Sequence, residues 1–437
     1  LWGHSMVREI IGRISDLSDR GYGVLEAGDI KIEVPGALPG ELVRVKVGRK
    51  KLGRIIDIIE RNPARILPPC PYVGMCGGCL WQDVSYSEQL RLKQMIIEKI
   101  FERIIGEFDI ANIIPAQNIF GYRGKMEFIF SGSPESLTVG LRTLGRYDRV
   151  VDIHSCWLQN QLANIVLQEF RQKLSLLGYK PYNIFTHRGF LRYLVIRSSF
   201  YENSCLVNIV TTSERKLDID ILVQDTHADT VIWSTSDSLA DVAMGKIRAV
   251  HGRGYIYEKA LGYVFRVYPY AFYQTNPVQA EVLFDFVRKM AGGGERALDL
   301  YCGIGTIALI VSDNFSEIIG IEIEKSAVKA AQENAEMNDV DNVRFIEGKV
   351  EEKIWDINKK IDVVFVDPPR AGIHKRALKA IIDLKPDKIV YVSCNPRSQA
   401  EDITHFLANG YSIRNIQPID MLPHTPHIEN ICVLEKT

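Results

Sequence analysis

Three short motifs near the end of the chain carry groups that could do chemistry together. An Asp-Pro-Pro-Arg motif at 367–370 and a Ser-Cys-Asn-Pro motif at 393–396 each follow an apolar, β-branched run typical of a buried parallel strand. Such strands present ligand-binding residues at their carboxyl ends. A lone buried cysteine is more often an inert core residue. The third motif is His-Ile-Glu at 427–429, near the end of the chain. The presence of the other two motifs favours chemistry for this cysteine, with Cys394 as nucleophile, Asp367 as cofactor contact and Glu429 as base.

A second set of thiols lies near the start of the chain. Cys70, Cys76 and Cys79 are clustered around a Gly-Gly pair that lets the backbone wrap closely, and Cys156 is the nearest candidate for a fourth ligand. Four thiolates suit either zinc or an iron–sulfur cluster. Zinc ribbons usually pair two short Cys-x-x-Cys hooks, so three clustered cysteines plus a distant one favour [4Fe–4S], with zinc as the alternative.

The chain before these cysteines has the pattern of a small β-barrel. Short alternating or β-branched runs are separated by Gly and Pro turns over residues 6–65, which predicts an OB-like barrel, commonly a nucleic-acid binder. A barrel that serves only as a spacer would have the same pattern. The predicted strands are Val7–Ile14, Gly23–Glu26, Ile30–Val34, Leu42–Val47 and Arg54–Ile59.

Part of this region is strongly basic, although the whole chain has a net charge of −1. Residues 41–65 contain eight basic and three acidic side chains. Such a run is either a solvated face or a site for RNA phosphates. The basic residues are Arg44, Lys46, Arg49, Lys50, Lys51, Arg54, Arg61 and Arg65.

The middle of the chain mixes strand and helix patterns. A capping box formed by Ser85 and Glu88 predicts the start of a helix over 86–105. We expect a central mixed α+β domain over residues 66–270, with that helix free to pack against the domain that follows.

From residue 271 the pattern becomes a regular β–α alternation, which predicts a doubly wound domain over 271–437. Gly303 and Gly305 form a turn after a strand, and Glu322 follows 17 residues beyond Gly305. An acidic residue at that distance can hold ribose hydroxyls. The glycines alone do not separate NAD from S-adenosylmethionine.

The later strand ends favour S-adenosylmethionine. A dehydrogenase has no need of the motifs at 367–370 and 393–396. Amino methyltransferases place an aromatic residue after Asp-Pro-Pro, whereas this chain has Arg370 there and a thiol on the adjacent strand. The combination indicates a base carbon as methyl acceptor, attacked through a covalent adduct.

With these motifs in order, the chain resembles the RNA uridine-5-methyltransferases over essentially its whole length. Residues 7–63 resemble the TRAM domain that many members carry. The Cys70, Cys76, Cys79 and Cys156 pattern resembles their [4Fe–4S] motif. The remaining shared motifs are Phe-Tyr-Gln-Thr-Asn at 272–276, Asp-Leu-Tyr-Cys-Gly at 299–303, Asp-Pro-Pro-Arg at 367–370, Ser-Cys-Asn-Pro at 393–396 and His-Ile-Glu at 427–429.

The resemblance implies a Rossmann-like methyltransferase domain, a central domain and an N-terminal barrel, with Cys394 as nucleophile and Glu429 as base. Lys349 stands where some members have Asn or Asp near the adenine, so that contact is not carried over. The cytosine-5 enzymes carry a second cysteine where this chain has Pro369. The implied S-adenosylmethionine site comprises Gln274, Tyr301, Gly303, Gly305, Glu322 and Asp367.

The resemblance also implies an RNA partner. Members with a TRAM domain and cluster cysteines mostly modify large-subunit (23S) ribosomal RNA, so rRNA is favoured over the transfer-RNA T-loop. A non-catalytic RNA-binding or chaperone protein is the alternative of another class. An apolar content of 46% without a run of ~18–20 apolar residues argues against a membrane span. We expect a cytoplasmic monomer.

Overall fold

The computed structural model describes residues 8–48 and 51–437. Its N-terminal part is a five-stranded antiparallel sheet in the order β3-β2-β1-β4-β5. A bridge between Glu33 and Leu52 brings the two edge strands together, so the sheet closes into a small barrel. All five predicted strands are present, although Val7 lies outside the described residues. The strands are β1 (Arg8–Leu17), β2 (Gly23–Ala27), β3 (Ile30–Val34), β4 (Leu42–Val47) and β5 (Gly53–Glu60).

The barrel is built by the alternation of its strands. Along β4, Val43 and Val45 point into the core, whereas Arg44 and Lys46 point outward. Arg65 departs from the predicted basic surface, because its side chain is 8% exposed and its guanidinium pairs with the carboxylates of Glu41 (2.9 Å) and Asp83 (2.5 Å). It therefore joins the barrel to residues 66–84, the cysteine segment, which carries Cys70, Cys76 and Cys79. Arg49 and Lys50 lie outside the described residues.

The central part is a seven-stranded sheet in the order β12-β11-β10-β9-β6-β7-β8, antiparallel except for the β10–β11 pair. Its longer helix packs on the sheet through Val166, Phe170 and Leu174. The elements are β6 (Lys125–Ser133), β7 (Ser136–Arg142), β8 (Val150–Asp152), α2 (Gln161–Leu176), β9 (Leu191–Ser198), β10 (Cys205–Thr211), α3 (Ile219–Leu222), β11 (Thr230–Thr235) and β12 (Lys246–His251).

A hairpin of β13 (Ile256–Ala260) and β14 (Tyr263–Val267) precedes the last sheet. That sheet has the order β17-β16-β15-β18-β19-β21-β20, and only β21 runs antiparallel to its neighbours. The elements are α4 (Pro277–Ala291), β15 (Gly294–Leu300), α5 (Thr306–Ile310), β16 (Phe315–Glu322), α6 (Lys325–Met337), β17 (Val343–Glu347), α7 (Val350–Lys353), β18 (Val363–Val366), α8 (Lys375–Leu384), β19 (Lys388–Ser393), α9 (Pro396–Leu407), β20 (Tyr411–Ile419) and β21 (Glu429–Lys436).

This is the predicted Rossmann-like α/β arrangement. Its central strands are covered on both faces, which is why β18 is apolar throughout rather than alternating. The strand order reverses between β15 and β18, and ligands of open α/β sheets bind at such a switch point.

Helix α1 (Tyr86–Ile104) begins where predicted but without a capping box. Ser85 is the N-cap residue, yet its hydroxyl makes no capping bond, and Glu88 pairs with Arg91 instead. The apolar face of α1 shares a core with the last sheet, so the helix packs there as expected. Within the described residues no helix is long and apolar enough to cross a membrane.

Candidate active site

The two motifs that follow β18 and β19 are tied to each other. Asn395 accepts a hydrogen bond from the Arg397 backbone N–H, which caps α9, and its side-chain amide donates to the Arg370 carbonyl (2.7 Å). The Ser393 hydroxyl accepts from the Asn395 N–H (3.1 Å). These bonds hold the Cys394 backbone at the carboxyl edge of the sheet, and its thiol is half-buried.

Strand β21 brings Glu429 to the same place. Ser393 is paired with Asn430 across the β19–β21 ladder, so Glu429 is next to Cys394 at the end of that ladder. Asn430 is fixed by donating to Gln399 (2.6 Å), which in turn donates to the Tyr391 carbonyl (2.8 Å). Two residues far apart in sequence thus converge through strand register.

The electrostatics of this pair are set by burial. Burial, followed by the charges of Glu429 and Asp367, raises the pKa of the Cys394 thiol to about 11, while the nearby Arg370 guanidinium lowers it. Burial and the Asp367 charge also raise the pKa of Glu429 well above its usual range, again opposed by Arg370. Arg370 is therefore the cation that favours the ionised form of both groups. No role for Arg370 was predicted from the sequence, and its place after Asp-Pro-Pro was the available signal.

The predicted cofactor residues gather around a small cavity of about 40 Å³ beside this pair. Gln274, Tyr301, Gly303 and Asp367 line it. Glu322 stands behind the glycine turn, where its carboxylate accepts the Gly303 N–H (3.0 Å). Asp367 lines this small cavity, and its charge also acts on Cys394 and Glu429, so the cavity and the pair form one site.

The turn after β15 has a conformation that needs glycine. Tyr301, Gly303 and Gly305 all have positive φ values (62°, 54° and 82°). A Cβ on Gly305 would lie 2.7 Å from the Phe345 ring, so even alanine would be strained there. Strained backbone of this kind clusters at ligand-binding sites.

Asp299, near the end of β15, is bonded to helix α5, which follows this turn. It is fully buried, accepts the Ala308 N–H (3.0 Å), and has its pKa raised to about 8 by burial. Asp299 belongs to the Asp-Leu-Tyr-Cys-Gly motif at 299–303, but no role for it was predicted from the sequence.

A larger cleft of about 870 Å³ opens onto Cys394. The barrel forms one wall of it with Arg20 and Tyr22, opposite Arg370 and His427 of the last domain. The strand residues of the basic run on β4 and β5 do not line this cleft. The sequence offered no sign that the β1–β2 turn would lie at the site.

The four predicted metal ligands line a separate cavity of about 570 Å³. Burial raises the pKa of Cys76 to about 11 and that of Cys79 to about 12, and the neighbouring thiols add to both shifts. In the described part of the chain, no group of three or more His, Cys, Asp or Glu side chains is arranged to hold a metal ion. The cavity is lined by Cys70, Cys76, Cys79 and Cys156 among others.

A basic and aromatic segment at residues 121–125 also belongs to this cavity. Tyr122 is fully buried, and Arg123 and Lys125 line the cavity wall. The Arg123 charge lowers the pKa of Cys156, although burial raises it more. Phe272 lines both this cavity and the cofactor cavity.

Comparisons with known proteins agree with this geometry. A model of the family described as tRNA (Uracil-5-)-methyltransferase matches residues 247–437. An uncharacterized RNA methyltransferase of Caldanaerobacter subterraneus is 37% identical, over 97% of this chain and 98% of its own length. One from Nanoarchaeum equitans is 36% identical, over 97% of this chain and 92% of its own.

A solved structure extends the likeness to the whole fold. The tRNA (uracil-54, C5)-methyltransferase of Pyrococcus abyssi, in complex with S-adenosyl-L-homocysteine, is 30% identical and superposes with a TM-score of 0.81. The match covers 97% of this chain and 100% of that one. This chain belongs to the RNA uracil-5-methyltransferase family. It is accordingly an RNA methyltransferase, and the family supports S-adenosylmethionine as methyl donor and RNA as substrate, as the sequence predicted.

Proposed function

We propose that this member of the RNA uracil-5-methyltransferase family methylates carbon 5 of a uridine in RNA through a covalent adduct between Cys394 and carbon 6. The observation that carries the proposal is the convergence of Cys394 and Glu429 through the β19–β21 register, beside the cavity lined by Asp367. A non-catalytic RNA-binding role would not require a thiol and a base to meet there.

Carbon 5 of uracil needs activation before it can accept a methyl group. Addition of the Cys394 thiolate to carbon 6 forms a C–S bond and gives an enolate whose carbon 5 is nucleophilic. S-Adenosylmethionine, when bound, would supply the methyl group to that carbon, its S–CH3 bond breaking to leave S-adenosylhomocysteine. Glu429 then removes the proton left on carbon 5, and the C–S bond breaks as Cys394 departs with its electron pair.

The site must ionise Cys394 for this chemistry. The pKa of the thiol is raised by burial to about 11, so the resting thiol is protonated at neutral pH. Arg370 is the positive side chain that acts against this shift. We propose that Arg370 stabilises the thiolate, and that the target uridine reaches it unpaired or flipped out of its helix.

A 5-fluorouridine substrate tests the nucleophile, because fluorine cannot leave carbon 5 as a proton does. The wild-type enzyme should form a denaturation-resistant complex with this RNA, and peptide mapping should place the RNA on Cys394. The last domain offers two further thiols, Cys302 (8% exposed) and Cys432 (0% exposed). RNA attached to either one would show that the nucleophile is misassigned.

We propose that the N-terminal barrel is the TRAM domain and that RNA passes between it and the last domain. The cleft that opens onto Cys394 supports this path, because barrel residues such as Arg20 and Tyr22 face Arg370 across it. The exposed basic side chains on β4 and β5 would add phosphate contacts outside the cleft. The three domains of the proposal keep the predicted bounds 6–65, 66–270 and 271–437, with α1 packed on the last.

The RNA target has two candidates. The domain composition favours large-subunit ribosomal RNA, as expected from the sequence. The Pyrococcus abyssi structure, which is a tRNA (uracil-54, C5)-methyltransferase, favours transfer RNA. Mass analysis of uridines in the rRNA and tRNA of a deletion strain separates the two, since only the true target loses 5-methyluridine.

We propose that Cys70, Cys76, Cys79 and Cys156 hold a [4Fe–4S] cluster with a structural role. Their all-sulfur donor set, their shared cavity and the Arg123 cation beside it suit an anionic thiolate-bound cluster. Two hydrogen bonds to sulfur also suit thiolate ligands, since the Gly78 backbone N–H donates to the Cys76 sulfur (3.3 Å) and the Gln82 side-chain amide donates to the Cys79 sulfur (3.5 Å). Zinc remains the alternative that metal analysis would reveal.

A further inference from the structure

The segment 420–428 connects β20 to β21 and leads directly into Glu429. Residues of the barrel, the cysteine segment, the central part of the chain and the last domain all contact this segment. The Leu80 and Trp81 N–H groups of the cysteine segment both donate to the His424 carbonyl (2.9 and 3.0 Å). The Tyr122 hydroxyl donates to the Pro423 carbonyl (2.9 Å), and the Asn276 side-chain amide donates to the Met421 carbonyl (3.0 Å). Gly21 of the barrel packs so closely on Pro426 that a Cβ at Gly21 would lie 2.3 Å from it.

The strongest anchor is a buried ion pair with helix α1. The Lys93 ammonium donates to the Asp420 carboxylate (2.5 Å) and to the Leu422 carbonyl (3.1 Å), and both charged side chains are 0% exposed. The second Asp420 oxygen accepts the Tyr86 hydroxyl (2.8 Å). A buried pair of this kind is weak evidence of stabilisation, because apolar residues of similar size often do as well. The pair instead fixes the path of the segment, because Lys93 contacts it at both Asp420 and Leu422.

Gln89, four residues before Lys93, provides a second anchor from the same face of α1. Its carbonyl oxygen accepts the His424 N–H (2.8 Å), and its amide lies 3.1 Å from the His424 ring nitrogen Nδ1. The same amide donates to the Trp81 carbonyl (3.0 Å), which links the segment to the cysteine region. Gln89 is fully buried.

We infer that Lys93 and Gln89 are positioning residues for the base, acting through the segment 420–428 on the location of Glu429. The inference rests on the proposed role of Glu429 in removing the carbon-5 proton. Cys394 is also held by the bonds of Asn395 to Ser393 and to the Arg370 carbonyl, which involve neither anchor. Loss of the anchors should therefore slow proton removal while leaving attack and methyl transfer nearly unchanged.

The test measures two steps separately on the full chain, with an in-vitro transcript of rRNA or tRNA that the wild type methylates. One readout is the single-turnover rate at which labelled methyl enters RNA. The other is the rate at which the methylated, denaturation-resistant adduct decays to free product. The variants are Gln89→Met and the double variant Lys93→Met with Asp420→Leu, which removes both charges so that neither is left buried alone. Arg91→Met, an exposed residue of α1 paired within the helix, is the control.

The methyl-transfer rate should stay within about threefold of wild type, and adduct decay should slow by on the order of 10–100-fold, as for a misplaced catalytic group. Decay at the wild-type rate in both variants would overturn the inference. An equal slowing of both steps would also overturn it, because that result indicates a general loss of structure. A variant too unstable to bind RNA would overturn the inference for the same reason. Glu429→Gln serves as a reference: if it fails to accumulate adduct, the proposed base is wrong, whereas if it accumulates adduct and the anchor variants do not, only this inference fails.

Discussion

Ser393 and Asn430 are paired directly across the β19–β21 ladder, and the residues beside them at its end are Cys394 and Glu429. Because β21 is antiparallel to β19, the beginning of one strand meets the end of the other. The antiparallel last strand thus brings the Glu429 carboxyl group, from its first residue, to the carboxyl ends of the parallel strands.

Arg370 should control the pH dependence of the reaction. Its positive charge lowers the pKa of both Cys394 and Glu429, which burial raises. In the proposed mechanism both groups act in their deprotonated forms, so Arg370→Met should reduce turnover at neutral pH by about tenfold for each unit that the limiting pKa rises. Activity should return in part as the pH is raised, and pH profiles of kcat at saturating RNA would show the shift.

Arg397→Gln is the matched control for this prediction. Arg397 is an exposed arginine of the same cleft, and its guanidinium pairs with Glu401. It should alter RNA affinity at most and leave the pH profile of kcat in place. An Arg370→Met profile that falls equally at every pH would contradict the electrostatic role.

Glu322→Gln should weaken binding of the cofactor product S-adenosyl-L-homocysteine. The Glu322 carboxylate accepts two backbone N–H groups, from Gly303 and Glu324, and each is a charge-assisted bond. Because Glu322 is the predicted partner of the ribose hydroxyls, loss of a charge-assisted bond to the ribose should cost about 1.5–3 kcal/mol, or roughly 10–100-fold in Kd by calorimetry. The exposed Glu324 is the control, and Glu324→Gln should bind as the wild type does. Equal affinity in all three proteins would remove Glu322 from the cofactor site.

Gly305→Ala should destabilise the last domain. Its φ of 82° is unfavourable for alanine, and the new Cβ would meet the Phe345 ring. We expect the free energy of unfolding to fall by about 1–3 kcal/mol, measured by denaturant titration. Gly40 has a similar φ with nothing near its Cβ position, so Gly40→Ala should cost less. A native-like Gly305→Ala protein would show that the turn rearranges freely.

The exposed basic residues of the barrel should supply affinity without chemistry. Lys46→Gln with Arg54→Gln should weaken RNA binding and reduce the slope of log K against log salt by about 1–2, because fewer counterions are released. S-Adenosylmethionine binding should not change. Lys360→Gln is the control, because Lys360 precedes β18 at the amino-terminal ends of the parallel strands and pairs with Asp387. If the slope of log K against log salt is unchanged in the barrel variant, the barrel is a spacer. Deleting residues 1–65 is a poorer test, because it would leave Asp83 without the buried Arg65.

The four cavity cysteines should bind iron and sulfide. Protein purified without air should be brown, and Cys79→Ser should lose the colour and most of its iron. Cys205→Ser is the control, since Cys205 is a fully buried core residue of the central sheet. Colourless anaerobic protein with one zinc per chain would contradict the cluster.

The local elements of this protein could be predicted from its sequence because period and turn residues determine them. The five barrel strands and the β–α alternation after residue 271 were correct for that reason. Cys394, Asp367 and Gly303 were placed at strand ends by apolar runs that stop at them. The resemblance to the family added Gln274 and Glu429, and the structure brings both to the site.

What the sequence could not show were contacts between distant segments. Lys93 looks like a solvent-facing residue of an amphipathic helix, and only the fold reveals Asp420 opposite it. Arg65 looked like part of a phosphate-binding run but is buried against Glu41. The packing of Gly21 on Pro426, which sets the barrel beside the Cys394 cleft, likewise depends on tertiary structure.

The most direct measurement is the fate of RNA on Glu429→Gln enzyme given S-adenosylmethionine and an unmodified substrate. The variant keeps Cys394 but lacks the base, so we predict a methylated RNA–protein complex that survives denaturing electrophoresis and carries the RNA on Cys394. Cys394→Ala should transfer no methyl group and form no complex. Free, fully methylated product released by Glu429→Gln at the wild-type rate, or any turnover by Cys394→Ala, would contradict the account.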